Sequence, residues 1–157
     1  MEKSKPKNLS KNKIVLILLA IFFIILALYL SLKKPEYPSQ VKVNISDYSY
    51  YLEVASTSQQ REIGLSSRES VCVNCGMLFV FPREGNRSIW MKDTLVPLDI
   101  IWLDKKFKIV KIATALETNS QKTYTGKAKY IIEINANEVF KRDLKVGDTI
   151  QIPEFDE

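Results

Sequence analysis

The sequence has no histidine, and so lacks the commonest general base, the usual pH switch and the commonest metal ligand. Its only cysteines are Cys72 and Cys75, too few to fill a four-coordinate zinc site without a second chain. No charged residue falls between Ile14 and Leu32. Beyond that run the chain also lacks a surplus of charge. Residues 1–34 hold seven Lys and one Glu, so the totals of 23 basic and 18 acidic residues leave 16 and 17 for residues 35–157, a net of −1. The overall +5 thus belongs to the N-terminal segment, and no nucleic-acid partner is expected. No motif points to a cofactor or a metal.

What is present begins with that uncharged run, IVLILLAIFFIILALYLSL. At ~1.5 Å per residue it comes close to the ~30 Å hydrocarbon core of a bilayer, and it has no polar face that would suit a buried helix. Tyr29 and Leu30 stand where a cleaved signal would have small residues. The expected organisation is a basic cytoplasmic tail (1–13), a transmembrane anchor in the lipid bilayer (14–32), a proline-containing linker (33–40) and an extracytoplasmic domain (41–157). Five lysines precede the span and two follow it, which keeps the N-terminus in the cytoplasm and the domain outside the cytoplasmic membrane.

From Val41 the signals are those of strands. VKVNI, YSYYLEV, MLFVF, LDIIWL, FKIVKIATAL, KYIIEI and TIQI are rich in β-branched and aromatic residues. PREGNR reads as a hairpin turn between MLFVF and SIWMK, and DKK as a second turn. Helix is scarce: a turn or two in SQQREIGLSSRE, and a short helix opened by a capping box at Asn135 and Glu138. The expected fold is all-β, a compact β-sandwich or small barrel with one or two short helices, preceded by a single transmembrane helix.

Four motifs occur in order: R-x-x-GL-x-x-R (Arg61, Gly64, Leu65, Arg68), GMLFVF (76–81), WMKDTLVPLDIIWLD (90–104) and LKVGDTI (144–150). The set resembles domain-of-unknown-function family 192, also called uncharacterised protein family 0127, over about Val43 to Ile152. The resemblance implies a compact β-rich domain, often exported or lipid-anchored, and brings no reaction with it. Three positions depart from the family pattern: Asp93 replaces the usual Asn, CVNC precedes GMLF, and INAN lacks a glycine.

Candidate site residues come from charge in apolar surroundings. As a strand, LDIIWL puts Leu98, Ile100 and Trp102 on one face and Asp99, Ile101 and Leu103 on the other. Asp99 then heads an apolar face, and an ion pair with Lys92 is its expected anchor. The alternative is a polar pocket with Arg68 or Glu133 as further walls and Thr94 lining it or bonding within its own turn. Arg61 and Arg68, two helical turns apart, would share a side of one helix. Phe79, Trp90, Met91 and Trp102 are expected in the core, since a sugar-stacking platform would need them exposed.

For Cys72-Val-Asn-Cys75 an extracytoplasmic location favours a structural disulfide; redox chemistry, zinc and free thiols are the other readings. The functional expectation is binding of a small polar ligand or an envelope protein at the Arg68, Lys92 and Asp99 end. An envelope enzyme acting on carbohydrate or peptide through Asp99 and Glu133 is the alternative, and a thiol–disulfide protein the third.

Overall fold

Alternation of valine and isoleucine with polar residues makes QVKVNI a strand with one buried face, and the same logic runs through most of the chain beyond it. The computed structural model describes residues 11–32 and 39–153. The basic tail up to residue 10 and the linker from residue 33 to 38 lie outside them. The chain divides into two units, a helix and a β-domain.

Helix α1 (Lys11–Leu32) forms the first unit. Its side chains are described from Asn12 to Leu26, and the large apolar ones from Ile14 to Leu26 are exposed. Among the described residues no helix is long and apolar enough to cross a membrane.

The β-domain contains β1 (Gln40–Ile45), β2 (Tyr48–Ala55), α2 (Ser58–Ile63), β3 (Cys75–Trp90), β4 (Leu98–Leu103), β5 (Ile109–Leu116), β6 (Thr123–Asn135) and α3 (Glu138–Lys141). The strands form one mixed sheet in the order β1-β2-β3-β6-β4-β5. β2 and β3 are parallel, so the chain must cross over between them, and that crossover carries α2. All other pairings are antiparallel.

Of the expected all-β sandwich or small barrel, the β-rich character holds, while the described residues form one six-stranded mixed sheet rather than two facing ones. Each face of that sheet is covered by connections instead. One face carries Val43, Tyr50, Leu52, Leu78, Ile101, Ile132 and Ile134, packed with Val139, Ile150 and Ile152. The other carries Phe79, Leu98, Ile100, Trp102 and Ile131, packed with Leu65 of the crossover and with Met91. β4 is therefore buried along its whole length, and its residues divide between the faces as LDIIWL requires. The C-terminal segment reaches both sheet edges: Gln151 pairs with Asn44 of β1, and Thr149 with Lys108 beside β5.

Two local expectations fail for identifiable reasons. PREGNR is not a turn. β3 runs straight through it to Trp90, and the ladder to β6 passes from Val80–Tyr130 to Gly85–Ala128, so residues 81–84 oppose Lys129 alone. This is a wide bulge, a place where Pro82 needs no N–H to donate. Asn135 is the last residue of β6 rather than a helix cap, and α3 begins after Asn137, whose side chain makes no capping bond. The capping box that does form joins Thr57 and Gln60 at the start of α2. The β4–β5 hairpin around Asp104 forms as expected, its turn held by the Asp104 carboxylate accepting the Lys106 and Lys108 amides.

Candidate functional site

Two acids are buried in the sheet, and neither meets a lysine. Asp99 is 0 % exposed. Its Oδ1 accepts the Ala115 amide at 2.8 Å and its Oδ2 the Val139 amide at 2.9 Å. The second bond caps the first turn of α3, taking the place of the missing Asn137 cap. This replaces the expected Lys92–Asp99 pair: two backbone donors satisfy the carboxylate. Lys92 is exposed, its Nζ 6.0 Å from the centre of the Trp90 ring.

Glu133 differs in every respect. It sits near the C-terminal end of β6, paired with Met77 on β3 and Ile100 on β4, so its same-face neighbours are apolar. It is 5 % exposed, and among the described residues no cation or hydrogen-bond donor reaches its carboxyl. Burial alone pushes it up to about 8. At neutral pH this side chain is mostly a neutral acid, able both to donate and to accept.

Because Ile100 and Glu133 are register partners while Asp99 pairs with Ile134, the two acids point to opposite faces of the sheet. Asp99 and Glu133 cannot act on one substrate, which removes that acid–base pairing.

Above Glu133 lies a cavity of about 60 Å³, lined by Arg61, Gly64, Ser66, Ser88, Trp90 and Thr94 among others. Its roof is the end of α2. Gly64 has φ +53°, and a Cβ there would stand 3.7 Å from a Glu133 carboxyl oxygen, so glycine both makes the turn and keeps the roof open. Leu65 anchors the roof in the core, and the Ser67 amide donates to the Asp93 carbonyl. Asp93 itself has φ +56°, a left-handed conformation that Asp and Asn tolerate. Arg61 braces the bulge of β3, donating to the carbonyls of Ser56 and Val80 at 2.5 and 2.9 Å. Its guanidinium and that of Arg87 flank the Phe81 ring at 4.9 and 4.3 Å. Burial, and then the Arg87 charge, lower the Arg61 pKa.

Of the residues singled out by sequence, the structure brings Thr94, Glu133, Phe79 and Trp90 together with Arg61 around the cavity, and separates Arg68, Lys92 and Asp99 from them. Arg68 lies beyond α2 and forms a bidentate pair with Glu53, 2.5 and 2.7 Å. That pair holds Glu53 below its usual range. Phe79, Met91 and Trp102 are buried as expected, but Trp90 is not: it ends β3 at the cavity mouth with 53 % of its surface exposed. Cys72 and Cys75 form a disulfide across the turn entering β3, and Asn135 Nδ2 donates to the Cys72 carbonyl at 2.9 Å. A strand follows this C-x-x-C, not the helix whose N-terminus would activate a redox thiol.

The domain matches the family model DUF192, described as an uncharacterized ACR, over residues 40–152. A UPF0127 protein of Thermococcus gammatolerans is 35% identical over 104 residues, 64% of this chain and 65% of that protein. A UPF0127 protein of Thermococcus kodakarensis is 34% identical over 103 residues, covering 63% and 62%. The chain thus spans just under two thirds of the length of these relatives. A crystal structure from Sinorhizobium meliloti, described as a proposed transcription regulator, superposes with a TM-score of 0.69 at 25% identity, covering 76% of this chain and 98% of that one. One from Novosphingobium aromaticivorans, of a protein of unknown function, gives 0.64 at 24%, covering 76% and 94%. With motifs, sheet and family model in agreement over one stretch of sequence, this chain belongs to the DUF192 family.

Proposed function

We propose that this protein is a single-pass membrane-anchored binding module whose domain, held outside the cytoplasmic membrane, takes a small polar ligand into the cavity above Glu133. The observation that carries the binding reading is the Glu133 carboxyl, 5 % exposed and, among the described residues, without a partner, at the floor of a polar-walled cavity. An unpartnered buried acid costs stability, and a site for a ligand group is a physical reason to keep one. The anchor rests on the uncharged run 14–32, on the lysine excess before it, and on a helix whose described apolar side chains all face outward.

A thermal-shift screen of sugars, amino acids and small organic acids tests the cavity. At least one compound should raise the melting temperature of the wild type saturably and leave Glu133→Leu unmoved. Compounds that stabilise both proteins equally would remove Glu133 from the site. Protease added to intact spheroplasts should digest residues 41–157; digestion only after lysis would overturn the anchoring.

A further inference from the structure

Which class of polar ligand the cavity takes follows from what its walls still offer, and the argument rests on the binding reading above. Ser66 Oγ and Thr94 Oγ1 both donate to the Lys92 carbonyl, each at 3.4 Å. Both contacts are long, and they leave the lone pairs of the two oxygens free to accept. Ser88 Oγ shares one proton with Thr125 Oγ1 at 2.8 Å. A phosphate or carboxylate, which only accepts, could take bonds from Arg61 and from a neutral Glu133 but would leave these lone pairs unmatched. A cation would meet the Arg61 guanidinium on the same wall. A hydroxyl group both donates and accepts, and so does a neutral Glu133.

Trp90 supplies the second half. It is a large apolar ring left 53 % exposed at the mouth of a polar cavity. Such a ring suits a ligand with one apolar face and polar edges. The cavity, about 60 Å³, has room for a few water-sized groups but not for a ring.

We propose that the ligand is a neutral carbohydrate, one hydroxyl-bearing arm of which enters the cavity to Glu133 while the sugar ring lies on Trp90. The arm satisfies the lone pairs of Ser66 and Thr94, and the ring displaces water from the indole.

The test is calorimetric titration of the full chain in micelles of a polyoxyethylene detergent, which carries no sugar head group. The probes are methyl α-glucoside, N-acetylglucosamine and galactose, with inorganic phosphate, acetate and methylammonium as charged comparators. At least one sugar should bind saturably and the charged probes should not. Trp90→Ala should weaken that sugar at least tenfold with an unchanged melting temperature. Glu133→Gln, which still donates and accepts, should stay within threefold of the wild type, whereas Glu133→Leu should lose tenfold or more. Saturable binding of phosphate, acetate or methylammonium, without any sugar, would overturn the carbohydrate proposal and leave the cavity as a binding site. Sugar binding that survives both Trp90→Ala and Glu133→Leu would overturn the placement. Silence from every probe would overturn the carbohydrate class, while the cavity itself stands or falls on the thermal-shift screen.

Discussion

Asp99 and Glu133 are buried in one sheet, on adjacent strands and opposite faces, and they do opposite things. Asp99 accepts two backbone amides and joins α3 to β5 through a single carboxylate. Glu133 accepts nothing within the described residues and is kept neutral by burial. The difference separates two kinds of buried acid. One is satisfied by the fold and stabilises it. The other is left unsatisfied by the fold, and its cost points to a use outside it.

The largest effect that tests this contrast is Asp99→Leu. It leaves the Ala115 and Val139 amides without their side-chain acceptor, at a cost of about 3 kcal/mol in chemical denaturation. Asp99→Asn keeps one acceptor and should lose roughly half as much. A variant as stable as the wild type would erase the structural role given to Asp99.

Glu133 should reveal itself through pH. Its folded pKa, about 8, lies above the ordinary 4.5, so the native state holds the proton more tightly than the unfolded chain. The resulting stability is fully present below about pH 4.5 and is lost as pH rises through about 8. Between pH 5 and 8 wild-type stability should fall by on the order of 3 kcal/mol. Glu133→Gln should flatten that slope, measured by urea denaturation across the range. Glu53 and Glu138 do not blur the window: their pKa values are lowered, so their contributions are lost only as pH falls below the ordinary carboxylate range. At Glu138 burial acts upward, and the bonds from Lys141 and Tyr50 outweigh it; burial and the same Glu138 bond push Tyr50 up to about 12.

Smaller effects sharpen the boundary of the site. Replacing both Cys72 and Cys75 with serine opens only a short loop, so the loss should be about 2 kcal/mol or less, with ligand response intact. Intact mass without reductant should show the native protein two hydrogens lighter than its reduced form. Lys92→Ala should move stability by less than about 0.5 kcal/mol, because the side chain is exposed and serves neither acid. A large loss there would bring back the ion pair.

Strand positions and face assignments were legible because period-two patterning is local. The alternation in LDIIWL is enough to place Asp99 and Ile100, the register partner of Glu133, on opposite faces. The partners of Asp99 were not legible, because backbone amides carry no sequence signature and Ala115 and Val139 are distant in the chain. PREGNR misled because turn chemistry and a wide bulge use the same residues. The exposure of Trp90 was hidden by its apolar neighbours. Two departures from the family pattern now have a reason: Asp93 (φ +56°) and Asn137 (φ +71°) occupy left-handed positions that Asn, Asp and Gly share.

The C-terminal segment that touches both sheet edges sets a condition on the order of folding. The outer edge of β1, the first strand in the sequence, is paired by Gln151, near the end of the described chain. Until that late segment arrives, β1 and the Lys108 end of β5 both present unpaired amides and carbonyls to any neighbouring chain. A single nick near Gly147 would expose both edges at once, and so turn the domain into a template for strand exchange between copies.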